Sequence, residues 1–384
     1  MPTLRHIAFV FVVAGTALAQ TTHVVQGGGA ALQTAIAAAA PGDRLVVQPG
    51  NYDPVTCSIG VDIDLTSGAT VEAAAGLVGL RIANLPAGQT ARVLGGRVEG
   101  ISILQSAGTI VVHETSFDTQ VVPWQFSQCT GPVMFQGATG LSPTTVAVGS
   151  LDIDGCAQVS FTGCVLPQLR VSQSRVNLSQ SWVHPMQGNG VAGLHVLSGD
   201  VTVVGGTLNG TFQLSFPIPT VAVRVDGGTF TATGGTLIDR ASFPYQPAHS
   251  LEVNAGAVRL DPSVIVGGTP PIAGAGSVTF TPVASLVANH TATTLSAVVT
   301  SEPGSAVFTL AGFPSPPYAT QWGDAWLQAS DPVLHFAVMP ATGTSSFSRS
   351  FAGVPRWLEL TLQPVALRSN GAVVLGAPTR LLWD

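Results

Sequence analysis

No lysine occurs anywhere in the chain; all 14 basic residues are arginine, and charged residues make up only 9% of the sequence. A nucleic-acid surface neutralises phosphates with clustered Lys and Arg, so this composition and a formal net charge of −6 exclude nucleic acid as a main partner. So few charges also argue against an extensive solvated helical surface. Cysteine is scarce as well. Cys57, Cys129, Cys156 and Cys164 show neither a C-x-x-C spacing nor a Cys/His cluster, so nothing suggests a zinc site. Long apolar runs are missing too: the best candidate, Ile7–Ala14, is shorter than the ~20 residues that span a bilayer, and no transmembrane span is expected.

What the chain does have is 46% hydrophobic residues, 44 glycines and 27 prolines, with Val, Thr, Leu and Ile in short alternating runs between them. Such runs are strands, and Gly and Pro supply their turns. The first residues place Arg5 before the apolar run and close on Ala17-Leu18-Ala19, the order of a secretory signal peptide. Residues 1–19 are therefore read as a leader, and the mature chain as secreted, extracellular or on the cell surface. In that setting disulfides are permitted.

Four segments align without gaps, starting at Leu169, Leu194, Val223 and Leu251; a fifth, from Leu151, joins them with one inserted residue, and looser copies begin at Ile101 and Trp124. Each strict copy has apolar or small residues at positions 1, 3, 8, 10 and 15, as in Leu194, Val196, Val201, Val203 and Leu208. Repeated period-two units of this size stack as a solenoid, because one unit cannot bury its apolar face alone. Upstream, Leu32, Ile36 and Ala39 have helical spacing, which predicts a short helix closing the apolar end of the stack.

At its entry the chain resembles the right-handed parallel β-helix superfamily, the pectate-lyase-like proteins. The resemblance rests on an Ala-rich helix, Pro41-Gly42-Asp43, the strand Leu45-Val46-Val47, and Pro49-Gly50-Asn51-Tyr52. It implies an all-β fold, a right-handed parallel β-helix over residues 20–281. From about residue 282 the template disappears, and residues 282–384 read as a small β-sandwich similar to terminal modules of secreted bacterial proteins. Four of the six tryptophans lie there: Trp322, Trp326, Trp357 and Trp383. Core packing is the favoured reading for them, with sugar stacking as the rival.

In the repeat, positions 1 and 3 point inward, so positions 2 and 4 face out. Position 2 runs Asp152, Arg170, His195, Arg224, Glu252; position 4 includes Asp154 and Asp226. The loops 209–222 and 238–250 carry Phe212, Phe216, Phe243 and Tyr245, an expected aromatic wall beside the strip. Carboxylates, guanidinium groups and aromatics along a groove suit an extracellular polysaccharide or cell-envelope component.

Three readings compete: charge pairs that only stabilise the ladder, a noncatalytic glycan-binding protein, or a polysaccharide lyase or glycoside hydrolase. A lyase would use Asp152, Asp154 or Asp226 to hold calcium and Arg170 or Arg224 to assist proton abstraction. No cofactor is expected otherwise. Asp62 and Asp64 repeat the D-x-D pattern, which reads as this protein's way of writing an exposed strand. Asp152 and Asp154 are accordingly expected on the wet side of a strand, available for binding.

Stacking of the copies from Trp124 and Leu151 predicts a Cys129–Cys156 disulfide, with Cys156–Cys164 as the alternative. His113-Glu114 and His184 read as solvated turn residues. Asn177, Asn209 and Asn289 each begin an N-x-S/T glycosylation pattern.

Overall fold

The computed structural model describes residues 20–74, 77–117, 124–139, 150–184, 192–210, 221–239, 249–313, 318–328, 330–351, 354 and 358–383. It contains a parallel β-helix of three faces. One is a twelve-stranded sheet from Thr22–Val25 to Ser277–Phe280, and the second a ten-stranded sheet from Val55–Cys57 to Ile272–Ala273. The third joins a four-stranded and a five-stranded sheet through single bridges from Thr139 to Ser116 and to Val165. The expected stacking of Trp124, Leu151, Leu169, Leu194, Val223 and Leu251 is the observed register. Leu194, Val196, Val203 and Leu208 are completely buried, as a one-faced strand pattern requires.

A helix over Ala31–Ala38 buries Leu32 and Ile36 against the first coil. It stops where Asp43 takes over: the carboxylate accepts the Ala40 N–H at 2.9 Å and the Thr21 N–H at 3.2 Å. Tyr52, from the P-G-x-Y stretch, is buried and donates its hydroxyl to the Gln48 carbonyl at 2.9 Å.

Two corners of the coil share one device. A residue at positive φ turns the chain, and the small polar residue after it donates back to the carbonyl two residues earlier. Between the ten- and twelve-stranded sheets, Gln105, Gln128, Gly155 and Gln173 take positive φ. The donors that follow them are Ser106 to Leu104 (3.0 Å), Cys129 to Ser127 (3.5 Å), Cys156 to Asp154 (3.6 Å) and Ser174 to Ser172 (2.8 Å). At the next corner Thr115, Cys164 and Ser181 repeat the bond to His113, Thr162 and Ser179.

This accounts for a correction. Neither the expected Cys129–Cys156 disulfide nor Cys156–Cys164 is present in this structure, where all four cysteines are buried free thiols. The predicted juxtaposition is nevertheless present. Cys129 lies beside Cys156, and that proximity together with burial raises the Cys156 thiol far above its ordinary pKa. Burial pushes Cys164 up to about 12. These sulfurs serve as serine-like corner donors. Cys129→Ser and Cys156→Ser are therefore expected to change stability by about 1 kcal/mol or less, the net contribution of one such hydrogen bond. A melting-temperature loss comparable with that of a core truncation would contradict this role.

The D-x-D inference also needs correction. Asp62–Asp64 is a strand of the twelve-stranded sheet, not of the face that carries Asp152, and both aspartates are 5% exposed. Arg44 lies 2.5 Å from Asp64 and Arg92 lies 3.1 Å from Asp62. One D-x-D is thus a buried ion-pair ladder and the other is a surface strip.

Beside a two-stranded antiparallel ribbon of Tyr318–Thr320 and Gly323–Ala325, the C-terminal region forms two larger antiparallel sheets around its own core. Ser285–His290, Thr294–Thr300 and Thr344–Ser350 make one; Ala306–Gly312, Val333–Val338, Glu359–Leu367, Val373–Leu375 and Thr379–Leu382 make the other. This module lies on the outer side of the twelve-stranded sheet. Gln136 accepts the Leu382 N–H at 2.6 Å, Thr162 donates to the Arg380 carbonyl at 3.2 Å, and Asn177 donates to the Pro378 carbonyl at 2.8 Å. Around these contacts the outward polar positions of the sheet are dry, which explains why Ser160, Asn177 and Ser179 are at most 1% exposed, whereas further along the same column Arg259 and Thr279 are exposed. Asn177 is thereby unsuited as a glycosylation acceptor in the folded chain, and His113, expected in solvent, is 5% exposed. Of the tryptophans, Trp326 and Trp383 are buried and Trp322 is exposed, while Trp357 lies outside the described residues.

Candidate binding face

Parallel pairing places Asp152, Arg170, His195, Arg224 and Glu252 side by side on successive strands of the ten-stranded sheet. The same outward column continues upstream through Gln125, Ser102, Arg81 and Thr56. Every one of these side chains can form hydrogen bonds, and all are exposed or half-buried. Neighbouring members are ~4.8 Å apart by the strand spacing of a sheet. The flanking inward positions Leu151, Ile153, Leu169, Val171, Leu194 and Val196 are buried and hold the strip flat.

Within the strip the charges are unevenly engaged. Asp226 is the hub of one end: His195 Nε2 lies 2.7 Å from it, Arg224 Nε donates to both of its oxygens at 3.0 Å, and Asn254 donates at 2.8 Å. Burial alone would raise the Asp226 pKa, but the hydrogen bonds from Asn254, His195 and Arg224 outweigh it and hold the carboxyl down to about 2. Asn254 also donates to Glu252 at 3.1 Å, and Arg224 approaches Glu252 at 4.0 Å.

The sequence reading placed Arg224 and His195 as free ligand contacts alongside Arg170. Both are instead turned to Asp226: Arg224 reaches it along its own coil, two residues away, and His195 reaches it diagonally from the neighbouring coil. Asn254, at position 4 of the next coil, carries a role that the sequence alone does not assign to it. Its signal was its place in the Asp226 column, two residues after Glu252.

The other end is open. Arg170 is exposed and, among the described residues, makes no hydrogen bond or ion pair, acting on Asp152 only through its charge. Burial raises the Asp152 pKa and Arg170 opposes that rise. Asp154 is exposed, as expected of the wet side. Asp152, Asp154 and Asp226 are not gathered as a calcium site would need: Asp226 stands three strands beyond Asp154, ~14 Å away by sheet spacing. Among the described residues, no three His, Cys, Asp or Glu side chains converge as a possible metal site. Phe212, Phe216, Phe243 and Tyr245, the expected aromatic wall, lie outside the described residues.

No protein-family model matches this chain, and a comparison with curated proteins finds no match.

Proposed function

We propose that this is an exported, pectate-lyase-like β-helix that binds an acidic polysaccharide of the cell envelope or surroundings on its ten-stranded face, without cleaving it. The observation that carries this reading is the column of nine hydrogen-bonding side chains, Thr56 to Glu252, on a long sheet face that the C-terminal module leaves open. The same module covers the middle of the twelve-stranded face, around Gln136, Thr162 and Asn177. An extended polymer meets such a column along its length, and a guanidinium with open donors can grip a uronate carboxylate through two parallel bonds. Arg170 has open donors, whereas Arg224 is engaged with Asp226. The three donors on Asp226 fit a structural brace better than an acid-base catalyst.

Export rests on the leader alone, since the buried thiols lend no disulfide support; secreted material is expected to begin at or near Gln20. Among the described residues, no helix is long and apolar enough to cross a membrane. Arg170→Ala should weaken binding to polygalacturonate at least tenfold with an unchanged melting temperature, because an exposed charge contributes little to stability. Equal binding by parent and variant, or none by the parent to any polyuronate, would reject the proposal. One observation favours a second reading. His195 held by Asp226 at 2.7 Å is an imidazole oriented by a carboxylate, as in a general base. Appearance of an unsaturated uronate product would establish it.

A further inference from the structure

The outer side of the third face carries two columns that the preceding reading does not use. One runs Val165, Trp182, Thr207, Leu237, Ile265 in register, and the other, two residues further along each strand, runs His184, Asn209, Asp239. Val183, Leu208 and Ile238 between them are completely buried, so the residues on either side point outward. Trp182 sits on an interior strand of the five-stranded sheet and is still 43% exposed. An indole left this open in the middle of a sheet contributes less to a core than a buried one would.

Its neighbours are arranged around it. The His184 ring lies 4.7 Å from the Trp182 ring at 39°, and Asn209 Nδ2 is 3.0 Å from His184 Nδ1. With the amide donating, Nδ1 is the bare nitrogen and the imidazole proton is on Nε2. Burial holds the His184 pKa below its ordinary value, so the ring is neutral at pH 7. Asn209 keeps its amide oxygen as an acceptor, and Asp239 adds a carboxylate one strand further. From Val165 to Ile265 neither column contains an arginine; continued through Thr139 and Ser116, the first reaches Arg97 four strands from Trp182.

We propose that this ledge is a second glycan site, one that takes a neutral pyranose chain. The apolar face of a pyranose stacks on a flat aromatic ring, and its hydroxyls, lying near the ring plane, need donors and acceptors beside that platform. Trp182 is the platform, and His184 Nε2–H and the Asn209 carbonyl are the lateral partners. With no arginine among the described residues of the columns beside Trp182, the ledge does not favour a uronate, which separates its ligand class from that of the Arg170 column. The site stands independently of that column.

The test is titration calorimetry of the full chain with cellohexaose, mannohexaose, xylohexaose and polygalacturonate. At least one neutral oligosaccharide is expected to bind, with Trp182→Ala and Asn209→Ala weakening it at least tenfold, Trp182→Phe retaining most of the affinity, and Arg170→Ala having no effect. Polygalacturonate binding should depend on Arg170 and not on Trp182. The proposal is overturned if no neutral probe binds, or if Trp182→Ala binds as well as the parent. Should Trp182→Ala fail to fold, full affinity in Asn209→Ala would overturn it.

Discussion

Replacing Gly228 by alanine is expected to destabilise the solenoid by about 3 kcal/mol or more, combining left-handed strain with a steric clash. Gly228 has φ +71°, and an added Cβ would lie 2.1 Å from the Gly199 carbonyl oxygen and 2.7 Å from its nitrogen. That oxygen belongs to the coil below and has no side-chain freedom with which to retreat. The same corner repeats the constraint: a Cβ on Gly199 would lie 2.3 Å from the Ser174 carbonyl, and one on Gly256 would lie 2.5 Å from that of Gly228. Gly235 supplies the control. Its φ is +72°, but an added Cβ would meet nothing within 4 Å, so Gly235→Ala should cost only the left-handed penalty of about 1–2 kcal/mol. Thermal unfolding of both variants separates the two contributions, and equal losses would refute the clash.

Removing Asp64 should have the second large effect, a loss of about 3 kcal/mol on Asp64→Ala, because breaking a buried pair strands the remaining charge. Arg44 faces Asp64 at 2.5 Å, and Thr66 donates to the same carboxylate from its backbone N–H at 3.1 Å and from its hydroxyl at 2.5 Å. Burial by itself would raise the Asp64 pKa, yet the bonds from Thr66 and Arg44 prevail and lower it from 3.8. A depressed carboxylate pKa contributes stability that is fully present above the unfolded value of 3.8 and is lost as pH falls through the lower folded value. Acid should therefore erode the parent in that range, whereas Asp64→Ala should start lower and show a shallower acid limb. A variant that melts within a degree of the parent at pH 7 would contradict the ladder.

Much of the solenoid was legible because a two-residue alternation, repeated coil after coil, marks inward positions redundantly. Leu169, Leu194, Val223 and Leu251 stack where the aligned copies put them, and the Asp152 to Glu252 column follows from that register. The same pattern cannot say what covers an outward residue. Ser160 and Asn177 look like any wet position, and their burial depends on a strand about two hundred residues away, with Asn177 meeting Pro378 at a separation of 201. Asp62 and Asp64 misled for the related reason that a carboxylate pattern does not reveal the arginines on neighbouring coils. For the cysteines, location was legible and chemistry was not. Ser106 and Ser174, at the equivalent corner positions of other copies, were the overlooked sign that Cys129 and Cys156 act as hydrogen-bond donors. At the candidate site the columns were right, but the reach of Arg224 along its own coil and of His195 diagonally across coils to Asp226 requires side-chain geometry.

Hydroxyl-radical footprinting of the full chain, with and without polygalacturonate, tests the central claim most directly because it reports which outward side chains a bound polymer covers. Protection is expected to concentrate on the ten-stranded face around Gln125, Arg170 and His195, with Trp182 and the C-terminal module unchanged. Protection confined to any other surface, or an unaltered footprint at saturating polymer, would contradict the assignment of that face as the binding surface.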